Sequence, residues 1–90
     1  EIDNDECRLD IVAADVNDPT QWETIGRALT EAPEPSQLAF VNCAGIARFG
    51  PFADADADSI RDQISTNMFS PIMLTHEILP AMLQNGGGQI

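Results

Sequence analysis

The feature that constrains the fold of this chain most is a continuous apolar run at residues 38–42, which leads directly into a turn of small residues. A strand that is apolar on both faces is typical of a parallel sheet with helices covering both sides. The turn that follows is Asn42-Cys43-Ala44-Gly45, and its small side chains allow a ligand to approach the backbone closely. Open α/β sheets bind ligands at the carboxyl ends of their strands, so this turn is the first candidate for a site.

The other segments alternate between strand and helix patterns. Residues 9–14 predict a short strand, and Asp18 followed by Pro19 predicts the N-cap and first residue of a helix. The apolar residues of this helix recur at helical spacing and are Trp22, Ile25, Leu29 and Ala32, before an end near Pro33. A long helical stretch from about residue 58 to residue 84 comes next, and glycines 86–88 then turn the chain into a further strand. This order predicts a parallel α/β fold.

The long helical stretch is apolar on more than one side. Its first part has one apolar stripe, through Ile60, Ile64 and Met68. The apolar residues of its second part are Phe69, Ile72, Met73, Leu74, Ile78, Leu79, Met82 and Leu83. One sheet-facing stripe does not account for all of them, and contiguous exposed apolar surface of that size is unusual on a monomer. We therefore expect one side of this helix to face a partner subunit.

A proline interrupts the hydrogen-bonding pattern of the same stretch. Pro71 stands four residues after Asn67 and has no N–H, so it cannot complete the α-helical hydrogen bond to the Asn67 carbonyl. If the helix continues, that carbonyl needs another donor and the helix should bend. The alternative is that Pro71 begins a separate helix, with Asn67 as an ordinary cap.

The composition excludes several classes of function. The net charge is −11, from 4 basic and 15 acidic residues, which disfavours nucleic acids and anionic membranes. Gly45 and Gly50 are spaced as in a phosphate loop, but Pro51 and Phe52 replace its Lys and Ser or Thr. The two cysteines and the acidic residues at 54–58 match no metal-binding pattern, so no metal is expected. Without a signal peptide or an apolar run of about 20 residues, a cytoplasmic protein is the default expectation.

Three short motifs, taken in order and spacing, resemble the short-chain dehydrogenase/reductase family across nearly the whole chain. Asn42-Cys43-Ala44-Gly45 resembles the family's NNAG segment, with Cys43 in place of the second Asn. Asp15-Val16 resembles the acidic dipeptide that ends the family's third strand. Asn67, within Ser-Thr-Asn-Met, resembles the active-site Asn, and Leu79-Pro80 and residues 86–90 follow as the family has them.

The resemblance implies a doubly wound parallel sheet of Rossmann type with strand order 3-2-1-4-5-6. Residues 1–90 would be a partial NAD(P)-binding domain that holds the third and fourth strands and the helices after them. The family's TGxxxGxG turn would lie upstream of Glu1, and its Ser and YxxxK pair downstream of Ile90. This chain contains no Tyr and no Lys. We therefore expect the 90 residues alone to fold poorly and to be inactive.

The resemblance also implies a reaction, which is hydride transfer between the nicotinamide of NAD or NADP and a small-molecule alcohol or carbonyl substrate. The full-length protein would be a homodimer or homotetramer. Asn67 would be catalytic, its backbone carbonyl holding a water that links the catalytic Lys to solvent. The residues implied to contact the cofactor are Asp15 and Val16 at the adenine, and Asn42, Ala44, Gly45 and Ile46 along the ribose. The alternative function is a non-catalytic nucleotide-binding or oligomerisation module on the same fold.

Overall fold

The computed structural model of the chain describes residues 9–31 and 38–90, and helices dominate this part. A 3-10 turn, Pro19–Gln21, leads into helix α1, Trp22–Thr30. A second 3-10 turn, Phe52–Asp54, precedes a long helical rod. The rod consists of α2 (Ala57–Ile64), a π-helical segment (Ser65–Phe69) and α3 (Ser70–Gln84). The helices predicted from the sequence are thus confirmed.

The start of the first helix is set by Asp18, as predicted. Its Oδ1 accepts hydrogen bonds from the Thr20 backbone N–H at 3.0 Å and from the Thr20 hydroxyl at 2.7 Å. These bonds favour the charged carboxylate, with the hydroxyl contributing most, and hold the pKa of Asp18 below its ordinary value. Pro19 then occupies the first helical position. The predicted end of this helix, at Ala32 and Pro33, lies outside the described residues.

The predicted sheet is represented in the described part of the chain by one parallel bridge, between Ala39 and Gln89. The Phe40 N–H donates to the Gln89 carbonyl at 2.7 Å, and the Gln89 N–H donates to the Leu38 carbonyl at 3.1 Å. The apolar segment at 38–42 therefore lies beside the segment that follows α3. The two segments lie side by side, which agrees with the doubly wound strand order, in which strands 4 and 5 are neighbours.

The strand predicted for residues 9–14 is not formed, and this prediction is corrected. The segment is nevertheless extended, because its alternate residues line one groove of ≈ 340 Å³ against α1. The groove residues of the segment are Asp10, Val12, Ala14 and Val16. A strand requires a hydrogen-bonded neighbour, and the expected order places two other strands between this segment and residues 38–42. Ile11 accordingly remains 77% exposed.

The core lies between one stripe of α3, helix α1 and the bridged segment. Leu74, Ile78 and Met82 are buried along α3 and pack with Phe40. Partly buried residues complete the cluster, and they are Val16, Trp22, Ile25 and Leu38. Burial of these side chains removes apolar surface from water and holds α1 against α3. The apolar face predicted for the first helix is confirmed at Trp22 and Ile25.

A second apolar stripe of the rod is exposed. Its members are Ile64, Met68, Ile72, Leu79 and Leu83, of which Leu83 is 68% exposed. The prediction that the second part of the rod is apolar on more than one side is confirmed. Within residues 9–31 and 38–90, no helix is long and apolar enough to cross a membrane.

The rod changes its hydrogen-bonding pattern directly before Pro71. The Ser70 N–H donates to the Ser65 carbonyl, five residues back, which is the bond of a π-helix. The backbone stays right-handed helical at both ends of this segment, and Asn67 lies in its middle. Asn67 therefore does not cap a separate helix. The rod is irregular here in the form of a π turn, and the predicted bend stays a prediction.

We predict that Gly88→Ala destabilises the full-length protein that contains this chain, whereas Gly26→Ala does not. A Cβ on Gly88 would lie 2.5 Å from the Leu38 carbonyl oxygen and would also strike Met82, so the bridge must open. The expected cost is about 2 kcal/mol of unfolding free energy, measured by chemical denaturation. A Cβ on Gly26 would lie 3.2 Å from Cγ of the flexible Glu77 side chain and in ordinary contact, at 3.7 Å, with Ile78 Cγ2, and the helix gains from Ala. Equal stability of the two variants would contradict the parallel pairing.

Candidate functional site

The side chain of Asn67 holds the turn after residues 38–42 against the π-helical segment. Its Oδ1 accepts a hydrogen bond from the Ile46 N–H at 2.8 Å, and its Nδ2 donates to the Ile46 carbonyl at 2.7 Å. Both polar groups of the amide are therefore used by one backbone residue. An ideal Cβ on Gly45 would lie 3.5 Å from the same Oδ1. The structure thus brings three of the predicted site residues together.

Asn42, at the beginning of the turn, contacts the rod in α3, beyond the π-helical segment. Asn42 Nδ2 donates to the Thr75 hydroxyl at 3.5 Å, a long hydrogen bond, and Thr75 Oγ1 donates to the Pro71 carbonyl at 2.8 Å. Cys43, Ala44 and Gly45 are exposed between these two anchors. The backbone of the predicted ribose-binding residues is therefore accessible to a ligand, while both ends of the turn are attached to the rod.

The other predicted cofactor residues lie in a separate turn before α1. The Asp15 N–H donates to Gln21 Oε1 at 2.7 Å, and Asp15 Oδ1 accepts from the Asn17 N–H at 2.9 Å. The Val16 carbonyl accepts from Trp22 Nε1 at 2.8 Å, while the Val16 side chain packs against the core. Asp15 is thus an exposed carboxylate with one oxygen oriented by the backbone.

This second turn is also joined to the π-helical segment. Asn17 Nδ2 donates to the Thr66 hydroxyl at 2.7 Å, and the Ser70 hydroxyl donates to Asn17 Oδ1 at 2.8 Å. The rings of Trp22 and Phe69 pack with centroids 6.1 Å apart. No hydrogen bond joins Asp15 to residues 42–46 in the described part of the chain. The two turns instead attach to different residues of the same helical segment.

Asn17, Thr66, Ser70 and Thr75 were missed by the sequence analysis. One signal was available, because Thr66 and Ser70 are polar residues on either side of Asn67 in an otherwise apolar stretch. Both are buried in the structure, and a buried hydroxyl requires a hydrogen-bond partner. Their presence therefore predicts that a polar side chain from elsewhere in the sequence docks there.

A groove of ≈ 590 Å³ lies beyond this region, between α2 and the loop that precedes it. Its lining includes Arg48, Phe49, Phe52, Ile60 and Ile64, and none of the predicted cofactor residues. Phe49 and Phe52 are almost fully exposed on its rim. Among residues 9–31 and 38–90, no cluster of His, Cys, Asp or Glu could hold a metal ion.

Comparison with known proteins identifies the relatives of this chain. The sequence pattern of the short chain dehydrogenase family matches residues 1–90. The uncharacterized oxidoreductase YusZ of Bacillus subtilis is 35% identical over 82 residues, which are 91% of this chain and 29% of that protein. The uncharacterized oxidoreductase YbbO of Escherichia coli K12 is 32% identical over 82 residues, 88% of this chain and 29% of that protein.

A more distant relative carries a substrate in its name. The 3-ketodihydrosphingosine reductase of Dictyostelium discoideum is 26% identical over 81 residues, which are 89% of this chain and 24% of that protein. No solved structure matches the chain significantly. The chain spans 29% of the length of the relatives YusZ and YbbO.

We predict that Asn67→Ala loosens the turn at residues 42–46 in the full-length protein. The substitution removes both hydrogen bonds to Ile46, each worth about 1 kcal/mol, so amide hydrogens of the turn should exchange roughly 30-fold faster. Hydrogen exchange followed by mass spectrometry measures this directly. Asn85→Ala is the matched control, since Asn85 Nδ2 donates only locally, to the Ala81 carbonyl at 2.8 Å. Unchanged exchange at residues 42–46 in Asn67→Ala would show that the turn does not depend on this amide.

Proposed function

Because the chain belongs to the short-chain dehydrogenase family, we propose that it is part of an NAD(P)-dependent oxidoreductase. Its reaction is hydride transfer between the nicotinamide and an alcohol or carbonyl carbon of a small molecule. Relatives that match most of the chain are named oxidoreductases, which supports the reaction class. The observation that carries the proposal is the attachment of two turns, each with a family motif, to one π-helical segment around Asn67.

The adenine end of the cofactor is assigned to Asp15 and Val16. Asp15 is exposed, and the Asn17 N–H engages Oδ1, which leaves Oδ2 as an acceptor for an exocyclic amino group. Val16 contributes apolar surface: its half-buried side chain packs against the core and lines the groove beside α1, a surface that suits the face of an aromatic base.

The ribose is assigned to the backbone of Asn42, Ala44 and Gly45, with Ile46 beside it. Ala44 and Gly45 are exposed and small, so their peptide groups are open to a ligand. Asn67 fixes the far end of this turn through Ile46, which lowers the entropy cost of ordering the turn on binding. When bound, NAD(P) supplies the hydride chemistry, and the residues of this chain orient it.

The catalytic assignment rests on the backbone of Asn67. Pro71 supplies no N–H to the Asn67 carbonyl, so the usual α-helical donor is missing at this position. A carbonyl without that donor is suited to accept from a water, and an ordered water beside the active site can pass protons to solvent. The side chain of Asn67 meanwhile orients the ribose turn. One residue therefore serves the proton path through its backbone and the cofactor through its amide.

We predict that the full-length protein reduces NAD or NADP when supplied with alcohols of varied chain length, as measured by the absorbance of the reduced nicotinamide. Asn67→Ala keeps the backbone carbonyl but releases the segment that carries it from Ile46, and through this displacement it should lower kcat by about tenfold, ~1.4 kcal/mol of transition-state free energy, with a smaller rise in the KM for the cofactor. Pro71→Ala restores a donor for the Asn67 carbonyl and should lower kcat partly in the same way.

Pro80→Ala is the matched control for Pro71→Ala, because Pro80 lies inside α3 and away from the π-helical segment. It should leave kcat unchanged. Parental turnover in the Pro71 variant would refute the assigned role of this carbonyl, and parental kinetics in the Asn67 variant would refute the role of the amide. Absence of nicotinamide reduction or oxidation by the parent across a broad panel of alcohols and carbonyls would overturn the proposed reaction itself.

The exposed stripe of the rod supports a homodimer or homotetramer of the full-length protein. We predict that Leu83→Glu lowers the molar mass seen by light scattering to that of a smaller assembly, since Leu83 is 68% exposed within a continuous apolar stripe. Gln84→Glu places the same acid on the adjacent exposed residue and should leave the mass unchanged. A strictly monomeric parent at working concentration would exclude this assembly. The cytoplasmic location stays a prediction.

A further inference from the structure

We infer that Asn17 is a positioning residue, which holds the adenine-binding turn in register with the π-helical segment around Asn67. The inference rests on the proposed function for its catalytic consequence. Its structural basis is independent of that function. Asn17 follows Asp15 and Val16 in sequence, yet its side chain is bound to the rod 49 and 53 residues further along.

The amide of Asn17 is matched to two buried hydroxyls. Thr66 is 6% exposed and Ser70 is 0% exposed, and Asn17 uses its donor for the first and its acceptor for the second. Loss of a hydrogen bond to a buried hydroxyl is destabilising. Removal of the Asn17 side chain takes from both hydroxyls the partner that ties them to the turn before α1. This makes the docking geometry specific for an amide of this length.

The two hydroxyls flank the π turn. Thr66 is the second residue of the π-helical segment, and Ser70 is the first residue of α3, whose N–H makes the bond to Ser65. A π turn is rare because its hydrogen-bond geometry is less favourable than that of an α-helix, so it persists where surrounding contacts support it. Asn17 bonds with one side chain to a residue inside the turn and to the residue directly after it. It therefore fixes the spacing across the segment that carries Asn67.

The backbone of Asn17 contacts the proposed adenine-binding residue, Asp15. Its N–H donates to Asp15 Oδ1 at 2.9 Å, which orients the carboxylate proposed to bind adenine. The position of Asp15 is thus tied, through one residue, to Thr66 and Ser70. A shift of the π-helical segment would move the carboxylate, and a shift of the turn would move the segment.

Trp22 explains why loss of the Asn17 side chain should shift the turn along the rod without unfolding the protein. Trp22 Nε1 donates to the Val16 carbonyl at 2.8 Å, and the Trp22 ring packs against Phe69. This second link keeps the turn on the rod when the Asn17 side chain is absent. The link from Trp22 to the rod is the ring contact with Phe69, which is less directional than the hydrogen bonds of Asn17, so it allows the turn to slide.

The test compares Asn17→Ala, Ser70→Ala and the double variant in the full-length protein, with Thr20→Val as matched control. The Thr20 hydroxyl donates within the same turn, to Asp18 Oδ1 at 2.7 Å, and no hydrogen bond joins it to the rod in the described part of the chain. Asn17→Ala should raise the KM for the cofactor about fivefold and lower kcat about fivefold, and Ser70→Ala should do so less. The double variant should resemble Asn17→Ala, because the two residues share one interaction. Thr20→Val should leave both constants at parental values.

Hydrogen exchange provides the readout that needs no turnover. In Asn17→Ala the amides at residues 15–18 and at residues 65–70 should exchange faster together, while in Thr20→Val only the first group should change. Parental exchange at residues 65–70 in Asn17→Ala would overturn the inference, as would strictly additive kinetic effects in the double variant. A parent without nicotinamide chemistry but with coupled exchange would overturn the proposed function and leave the positioning role standing.

Discussion

The missing N–H of Pro71 is the constraint on which the arrangement of this region depends. An α-helix through residues 57–84 would require that donor for the Asn67 carbonyl, and the rod instead contains a π turn between Ser65 and Phe69. The extra residue in the turn rotates the following side chains relative to those before it. Polar residues on one side of the rod thereby face two different turns, so that Asn67 meets Ile46 while Thr66 and Ser70 meet Asn17.

The rod also divides its apolar surface between two functions. One stripe, with Leu74, Ile78 and Met82, is buried against α1 and Phe40 and supplies the core. The opposite stripe is exposed and has no cover in the described part of the chain. Thr66 and Ser70, buried like this core stripe, precede it at the same spacing of four residues. The buried stripe fixes the position of the rod in the protein. Because the rod is fixed, the short side-chain amides of Asn17 and Asn67 can hold the two turns in the defined positions that ligand binding requires.

Helices and local motifs were predictable from the sequence, whereas strands and cross-chain contacts were not. Asp18 and Pro19 carry their capping chemistry locally, and the prediction from Pro71 needed only the position of its missing donor. Residues 9–14 have strand propensity, but strand formation depends on a neighbour that propensity does not encode. The docking of Asn17 on Thr66 and Ser70 joins residues that are 49 and 53 positions apart, and no local pattern specifies such a pairing. Resemblance to a family located Asp15 and Asn67 but did not reveal the side chain that links them.

The charge of the chain limits which part of a dinucleotide this region can hold. Arg27 pairs with Glu23 and Arg61 with Asp58, both at 2.9 Å, and the Arg48 guanidinium donates to the Ala47 carbonyl at 3.3 Å. A net charge of −11 opposes the approach of phosphate groups. Adenine and ribose are uncharged, and they are recognised by single acceptors and by backbone groups, which are the groups that both turns present. The acidic surface is therefore compatible with the proposed cofactor only if this region binds its uncharged parts, and Asp15 and residues 42–46 are placed to do so.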